Sequence, residues 1–383
     1  MWKGIVGIGI SILFLGIFLL FPYRVQAACF WHDPQELKQI AAEGSSAFYP
    51  GKKKLVQSAN WAKKQPIPLI TDKKIVPAGE SPQDYRSLAI YYWPDESRPG
   101  GLPYKNHDGR INPEKDDTNR YDAKAMGRMI GMLRSLSLGY AVTGDKDYAR
   151  YAAEILDAWF INPSTRMNPN LEHAQIVPGK HDGSKVGIID SVALIEVADA
   201  VTLLADAGEL TPKQQAGVKQ WFSDYLDWLL QSAHGQAEAR AENNHGVWYD
   251  AQTAVFAHFS GRDEDARRIL RKVREQRMEP QFAADGSLPL ELARTRPMQY
   301  TLYTLQAYLT LAALGDTLGI NLYDVETANG SGIARGIDYV LPFVKGEKSM
   351  EKKDVMDYKK DVFVRMLHMA NRHYKNPAYE ITE

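Results

Sequence analysis

From residue 121 onward, apolar residues return every three or four positions, and that rhythm constrains the chain more than anything else in it. It runs through residues 121–142, 146–160, 188–207, 212–232, 244–259, 263–277, 299–314 and 355–374. Few segments alternate with the period of a strand; short strands are expected only near residues 87–92. Two junctions resemble one another. Gly144 and Gly261 each follow a helical stretch, and each is followed by acidic residues and an Ala-Arg pair. Glycine takes the left-handed conformation that ends a helix, so each junction reads as the turn of a helical hairpin. Gly315-Asp316 is a weaker echo. Hairpins in series predict an all-α fold that closes into an (α/α) toroid or incomplete barrel. A flat solenoid would need a fixed repeat length, and the spacing here is irregular.

Residues 65–122 break the rhythm. They contain Pro66, Pro68, Pro77, Pro82, Pro94, Pro99, Pro103 and Pro113 together with Gly100-Gly101. Tyr91, Tyr92, Trp93 and Tyr104 lie among them, and aromatics argue against disorder. This segment is read as an ordered arm packed on the helical body. Polar loops are expected at 162–185 and 285–297, and long ordered loops on a rigid scaffold are natural places for a site.

The first residues bear on compartment. Lys3 precedes an uncharged, largely apolar run from 4 to 21, and Val25-Gln26-Ala27 fits a signal-peptidase site. The run approaches the length of a membrane span. Residues 1–27 are therefore read as a signal peptide or an N-terminal membrane anchor, and 28–383 as one domain, exported, with the periplasm favoured over secretion or membrane anchoring. Cys29 is the only cysteine, which excludes an intramolecular disulfide and a cysteine-based metal site. With 46 basic and 47 acidic residues, the net charge of −1 gives no general attraction to nucleic acid or lipid. Lysines do crowd at 52–54, 63–64 and 73–74, where a solvated surface is the simpler reading than an anion site.

Two clusters could carry chemistry. Asn243-Asn244-His245-Gly246 stands at a helix start, where one asparagine is explained as a cap. The rest exceeds what a cap requires. Asn244 can donate from its amide, and His245 can give or take a proton near neutral pH. Arg294-Thr295-Arg296 presents two guanidinium forks suited to carboxylates, with Tyr300 shortly after. By itself Tyr300 reads more readily as a core aromatic beside Tyr303 and Tyr308 than as a functional residue, and Glu291 as an ion-pair partner of Arg294. Imidazoles and carboxylates at 173, 181 and 182 lack the spacing of a metal site.

Four pieces, in order, resemble the bacterial alginate lyase family: Tyr91-Tyr92-Trp93-Pro94-Asp95, Met167-Asn168-Pro169-Asn170-Leu171 with Ala174-Gln175-Ile176-Val177-Pro178-Gly179, Asn244-His245-Gly246-Val247-Trp248-Tyr249, and Arg294 through Tyr300. The likeness spans roughly residues 80–320. It implies an (α/α) toroid that splits an anionic uronate polymer by β-elimination without metal or cofactor. It matches Asn244, His245 and Arg294 to neutralising the uronate carboxylate and Tyr300 to proton transfer. Neutralisation lets charge from C5 deprotonation spread into the carboxylate, in the manner of an oxyanion hole. Arg294 and a charged His245 are expected to lower the pKa of Tyr300. Tyr300 then serves as base and acid when both groups lie on one face of the sugar, and His245 is the better base when they lie on opposite faces. Gln175, Tyr92, Trp93 and Arg296 are candidate sugar contacts. His173 stands where many relatives carry tyrosine and is another. Two other functions compete. A glycoside hydrolase on the same toroid would need a carboxylate pair, drawn from Asp95, Asp182, Asp250 and Glu291. A non-catalytic glycan binder would need the aromatics but not Tyr300.

Overall fold

Helices whose residues are buried on every side alternate with helices buried along one stripe, and this alternation organises the molecule. The structure, a computed structural model, describes residues 29–46, 50–350, 354–355 and 360–380; the expected signal segment lies outside them. No described helix is long and apolar enough to cross a membrane. The helices are α1 (Pro34–Glu43), α2 (Lys52–Ala62), α3 (Ala123–Thr143), α4 (Lys146–Leu156), α5 (Ile195–Asp206), α6 (Pro212–Gln231) and α7 (Ala233–Glu238). They continue with α8 (Asn244–Phe259), α9 (Asp263–Leu270), α10 (Glu279–Gln281), α11 (Pro289–Leu292), α12 (Pro297–Thr317), α13 (Ile333–Val344) and α14 (Lys360–Tyr374).

In α8 nearly every residue is buried, and in α5 and α12 most are, on all sides of the helix. A helix apolar all round must be enclosed by other helices. α4, α6 and α9 bury one face only; in α6 that face is Val218, Trp221, Phe222, Tyr225, Leu226 and Leu229. α8 packs against α12, α9 and α6, and α3 against α2, α4 and α5. The result is the expected all-α incomplete (α/α) toroid, with inner helices presenting their ends to one mouth.

Local chemistry sets the helix ends. Gly144 (φ 71°) caps α3 and Gly261 (φ 83°) follows α8, both in the left-handed region read from the sequence. Thr211 and Gln214 form a reciprocal cap at the start of α6, with Pro212 in the first turn. Other expectations are corrected. Gly315 does not end a helix: α12 runs on to Thr317, and Gly319 (φ 71°) makes the turn. Residues 188–207 are not one α-helix, because 185–194 wind as a 3₁₀ segment before α5 begins. The hydrophobic period could not distinguish the two windings.

The arm is ordered, as expected. β1 (Arg86–Leu88) pairs in parallel with β4 (His173–Ile176), joining the arm to the second loop. β2 (Tyr92–Trp93) pairs antiparallel with β3 (Lys105–Asn106). Lys73 ties down the arm's base. Its buried ammonium donates to the carbonyls of Ile70, Pro82 and Asp84 and lies 3.0 Å from Asp122.

Candidate active site

A cleft of about 980 Å³ opens at the mouth of the toroid, between the arm and the N-terminal ends of α8 and α12. Asn244 and His245 reach it from the first turn of α8. The preceding loop is stapled in place: Arg277 donates to the carbonyls of Ala239 (2.7 Å) and Ala241 (2.8 Å) and pairs with buried Asp250 (2.7 Å). Asn243 is the cap, accepting from the His245 N–H at 3.2 Å, which leaves Asn244 for other work. Gly246 is required by space. A Cβ there would stand 2.0 Å from the Ala241 oxygen and 2.5 Å from Arg277 Nη1.

Asn244 is almost fully buried. Its backbone N–H and its amide donate to the two carboxylate oxygens of Glu291, at 2.6 and 2.8 Å. An amide nitrogen carries two protons, so one donor remains. Glu291, on α11, is thus the partner of Asn244, while Arg294 takes Asp108 instead. Burial raises the Glu291 pKa, against the pull of the Asn244 hydrogen bonds. His245 Nδ1 is bonded to buried Glu238 at the end of α7, which fixes the proton on Nδ1 and leaves Nε2 as the other ring nitrogen.

Tyr300 stands in the first turn of α12. The Asp354 carboxylate accepts the Met298 and Gln299 N–H groups at 2.9 and 3.0 Å and caps that turn. The Tyr300 hydroxyl lies 2.7 Å from the Tyr91 hydroxyl and accepts from Arg294 Nη2 at 3.1 Å. The Arg294 guanidinium lies over the Tyr300 ring, 4.1 Å from its centre. Asp108, from the arm, holds Arg294 at 2.9 Å and accepts from Thr295 at 2.9 Å. The pKa of Tyr300 is not lowered, as the sequence predicted, but pushed well above its ordinary value. Burial is the main cause and the Tyr91 hydrogen bond adds to it; Arg294 offsets only part, and Asp108 works against it.

Gln175 lines the cleft in a left-handed conformation (φ 48°). Its N–H donates to Ser87 Oγ at 2.8 Å, and its amide donates to half-buried Asp190 at 2.8 Å. Ser87 and Tyr85 donate to the same Asp190. Arg296 also lines the cleft, and its buried Nε has no hydrogen-bond partner among the described residues. Among those residues Asp108 is the one carboxylate in the lining. Asp95 is engaged by Ser97 and Lys105, and Asp250 by Arg277, so the hydrolase reading finds no facing pair.

The sequence model of alginate lyases matches residues 69–350, most of the chain. The chain belongs to the alginate lyase family. It is accordingly a polysaccharide lyase. An alginate lyase from Bacteroides ovatus superposes with a TM-score of 0.85 at 32% identity, over 92% of this chain and 94% of that one. Alginate lyase A1-III from Sphingomonas species A1 superposes at 0.60 with 17% identity, over 92% of this chain and 90% of that one, a likeness of fold. A histidine-to-alanine variant of A1-III, complexed with a tetrasaccharide, superposes at 0.55 with 15% identity, over 86% of this chain and 88% of that one. No curated protein sequence matches the chain.

The lyase therefore brings Asn244, His245, Arg294, Arg296, Tyr300, Gln175 and Tyr92 to one cleft. It places two other candidates elsewhere. Trp93 donates its indole N–H to the Arg110 carbonyl at 3.0 Å and anchors the arm. His173 Nδ1 lies 3.1 Å from the Asp182 carbonyl, in the second loop. Glu238, Asp108 and Asp190 were not read from the sequence. Nothing marked them, because each meets its partner only through the fold. Tyr91 did carry a signal, as the first residue of the aromatic run in the arm.

Proposed function

We propose that the lyase cleaves alginate or a related uronate polymer by β-elimination, with Tyr300 moving protons and Asn244, His245 and Arg294 neutralising the sugar carboxylate. One observation carries the reading: the Tyr300 hydroxyl, held by Tyr91 and Arg294, shares a cleft with the ends of Asn244 and His245. In the reaction the C5–H bond breaks and its electron pair forms the C4–C5 double bond. The C4–O bond breaks, and the leaving oxygen takes a proton. No water or oxidant is consumed.

The geometry supports a division of labour. A phenol with a raised pKa stays protonated in the open cleft and suits the proton donor to the leaving oxygen. His245, with Nδ1 committed to Glu238, offers Nε2 either as base when neutral or as hydrogen-bond donor to the carboxylate when charged. Arg296 adds an N–H that no protein acceptor takes up among the described residues. Elimination with proton and leaving group on opposite faces uses His245 as base and Tyr300 as acid. Elimination on one face asks both steps of Tyr300. The N-terminal sequence supports export to the periplasm.

The test follows the ultraviolet absorbance of the unsaturated product on defined uronate polymers. Tyr300→Phe should lower kcat by about 10²–10⁴-fold, the usual contribution of a positioned proton donor, while polymer binding is retained. Near-normal turnover by that variant would remove Tyr300 from the chemistry. Reducing ends without ultraviolet absorbance would exclude elimination.

A further inference from the structure

We propose that the lyase has a second polyuronate-binding site, a groove between α2 and α3 that grips a stretch of substrate chain away from the catalytic cleft. This rests on the reading of the substrate as a polyuronate.

The groove encloses about 860 Å³ and shares no lining residue with the cleft. α2 contributes Lys54 and, two turns on along the same face, Trp61; α3 contributes Lys124, Arg128 and Arg134. No carboxylate lines it among the described residues. Lys54, Lys124 and Arg128 have no acidic partner among those residues, and Arg134 alone reaches back to Glu196, at 3.5 Å. Cations a short distance away are treated differently: Lys63 and Arg150 both pair with Asp147, at 3.2 and 2.7 Å. A surface kept merely soluble intersperses charges of both signs. A concave wall of one sign focuses its field and concentrates anions.

Two further features suit a sugar chain rather than a small anion. Trp61 is 54% exposed, a flat apolar face left in water beside the cations. Gly127 and Gly131 lie one turn apart on α3, and a Cβ at either would meet nothing within 4 Å. The groove floor there is bare helix backbone, open to a ligand lying along it. From Lys124 to Arg134 the α3 axis advances about 15 Å, with cations on separate turns. A polyuronate repeats a carboxylate on every sugar, with C–H faces between. Cations in a row beside an exposed indole match both parts of that repeat.

The experiment compares steady-state kinetics on a long polyuronate and on a tetrasaccharide. The variants are Lys54→Glu with Arg128→Glu, Trp61→Ala, and Gly127→Gln, which fills the floor without altering charge. All four positions are exposed, and unchanged thermal unfolding checks the fold. Each variant should raise KM for the polymer, the charge reversal by about tenfold through lost avidity, with tetrasaccharide kinetics unchanged. Polymer KM unchanged in all three variants would overturn the groove. So would equal changes on both substrates, or a charge reversal that abolishes binding to anionic lipid vesicles but not to polymer. An intact wild type inactive on every polyuronate would instead refute the function on which the groove rests.

Discussion

At the scale of single residues, four side chains of the site are each held by one carboxylate: His245 by Glu238, Asn244 by Glu291, Arg294 by Asp108 and Gln175 by Asp190. Each carboxylate fixes the direction of its partner, and for His245 it also fixes the tautomer. Glu238→Gln should therefore act through His245. We expect kcat to fall about 10²-fold with little change in KM. The double variant with His245→Ala should be no slower than His245→Ala alone, since the pair works as a unit. Additive losses in that cycle would show Glu238 to be merely structural. Asn243 and Asn244 illustrate how far residue types could be read. Two adjacent asparagines at a helix start exceeded what a cap needs, and one is the cap while the other faces the cleft. Arg294 shows the limit. Its charge was legible, but its engagement by Asp108, 186 positions earlier, was not, and so the direction of the Tyr300 shift was missed.

At the scale of elements, the decisive one is α8, whose first turn must lie against the loop carrying Ala241. Gly246 makes that approach possible. Gly246→Ala would drive a methyl group into the Ala241 carbonyl and the Arg277 guanidinium. The expected cost is about 1–3 kcal/mol, typical of overpacking, with activity reduced even where the protein remains folded, because Asn244 and His245 move with the turn. Thermal unfolding with parallel kinetics checks this; unchanged stability would mean the loop yields freely. The helical period located α3, α4, α6, α8 and α12 closely. α1, α2, α7 and α13 escaped it: α7 has only six residues, and α13 has Pro342 inside it. Strand β4 was missed for a related reason, since four residues in a polar loop show no alternation until a partner strand is present.

At the scale of the whole molecule, the N-terminal segment is stitched across the toroid. The buried Asp199 carboxylate on α5 accepts the N–H groups of Phe30, Trp31 and His32, at 2.7, 2.8 and 3.2 Å. Burial raises its pKa to about 6, against the pull of His32. The folded state thus holds this proton more tightly than the unfolded chain. The linked stability is full below about pH 4 and is lost as pH rises through about 6. Asparagine cannot lose a proton. Asp199→Asn should therefore flatten the decline of thermal stability between pH 4 and 7, a difference of about 3 kcal/mol at most. Identical pH dependence in the two proteins would show that Asp199 does not titrate in this range.

The sequence by itself determined that the chain is helical, where its main hairpins turn, and which few residue types could neutralise a carboxylate or move a proton. These are properties of local period, of glycine's conformational freedom and of side-chain chemistry, none of which needs a distant partner. The tertiary structure alone decided which carboxylate holds Asn244, His245 and Arg294, that burial raises the Tyr300 pKa instead of lowering it, and that the Trp93 indole is bonded to the Arg110 carbonyl within the arm. Those facts depend on burial and on contacts between residues as far as 209 positions apart, and a linear chain has neither until it folds.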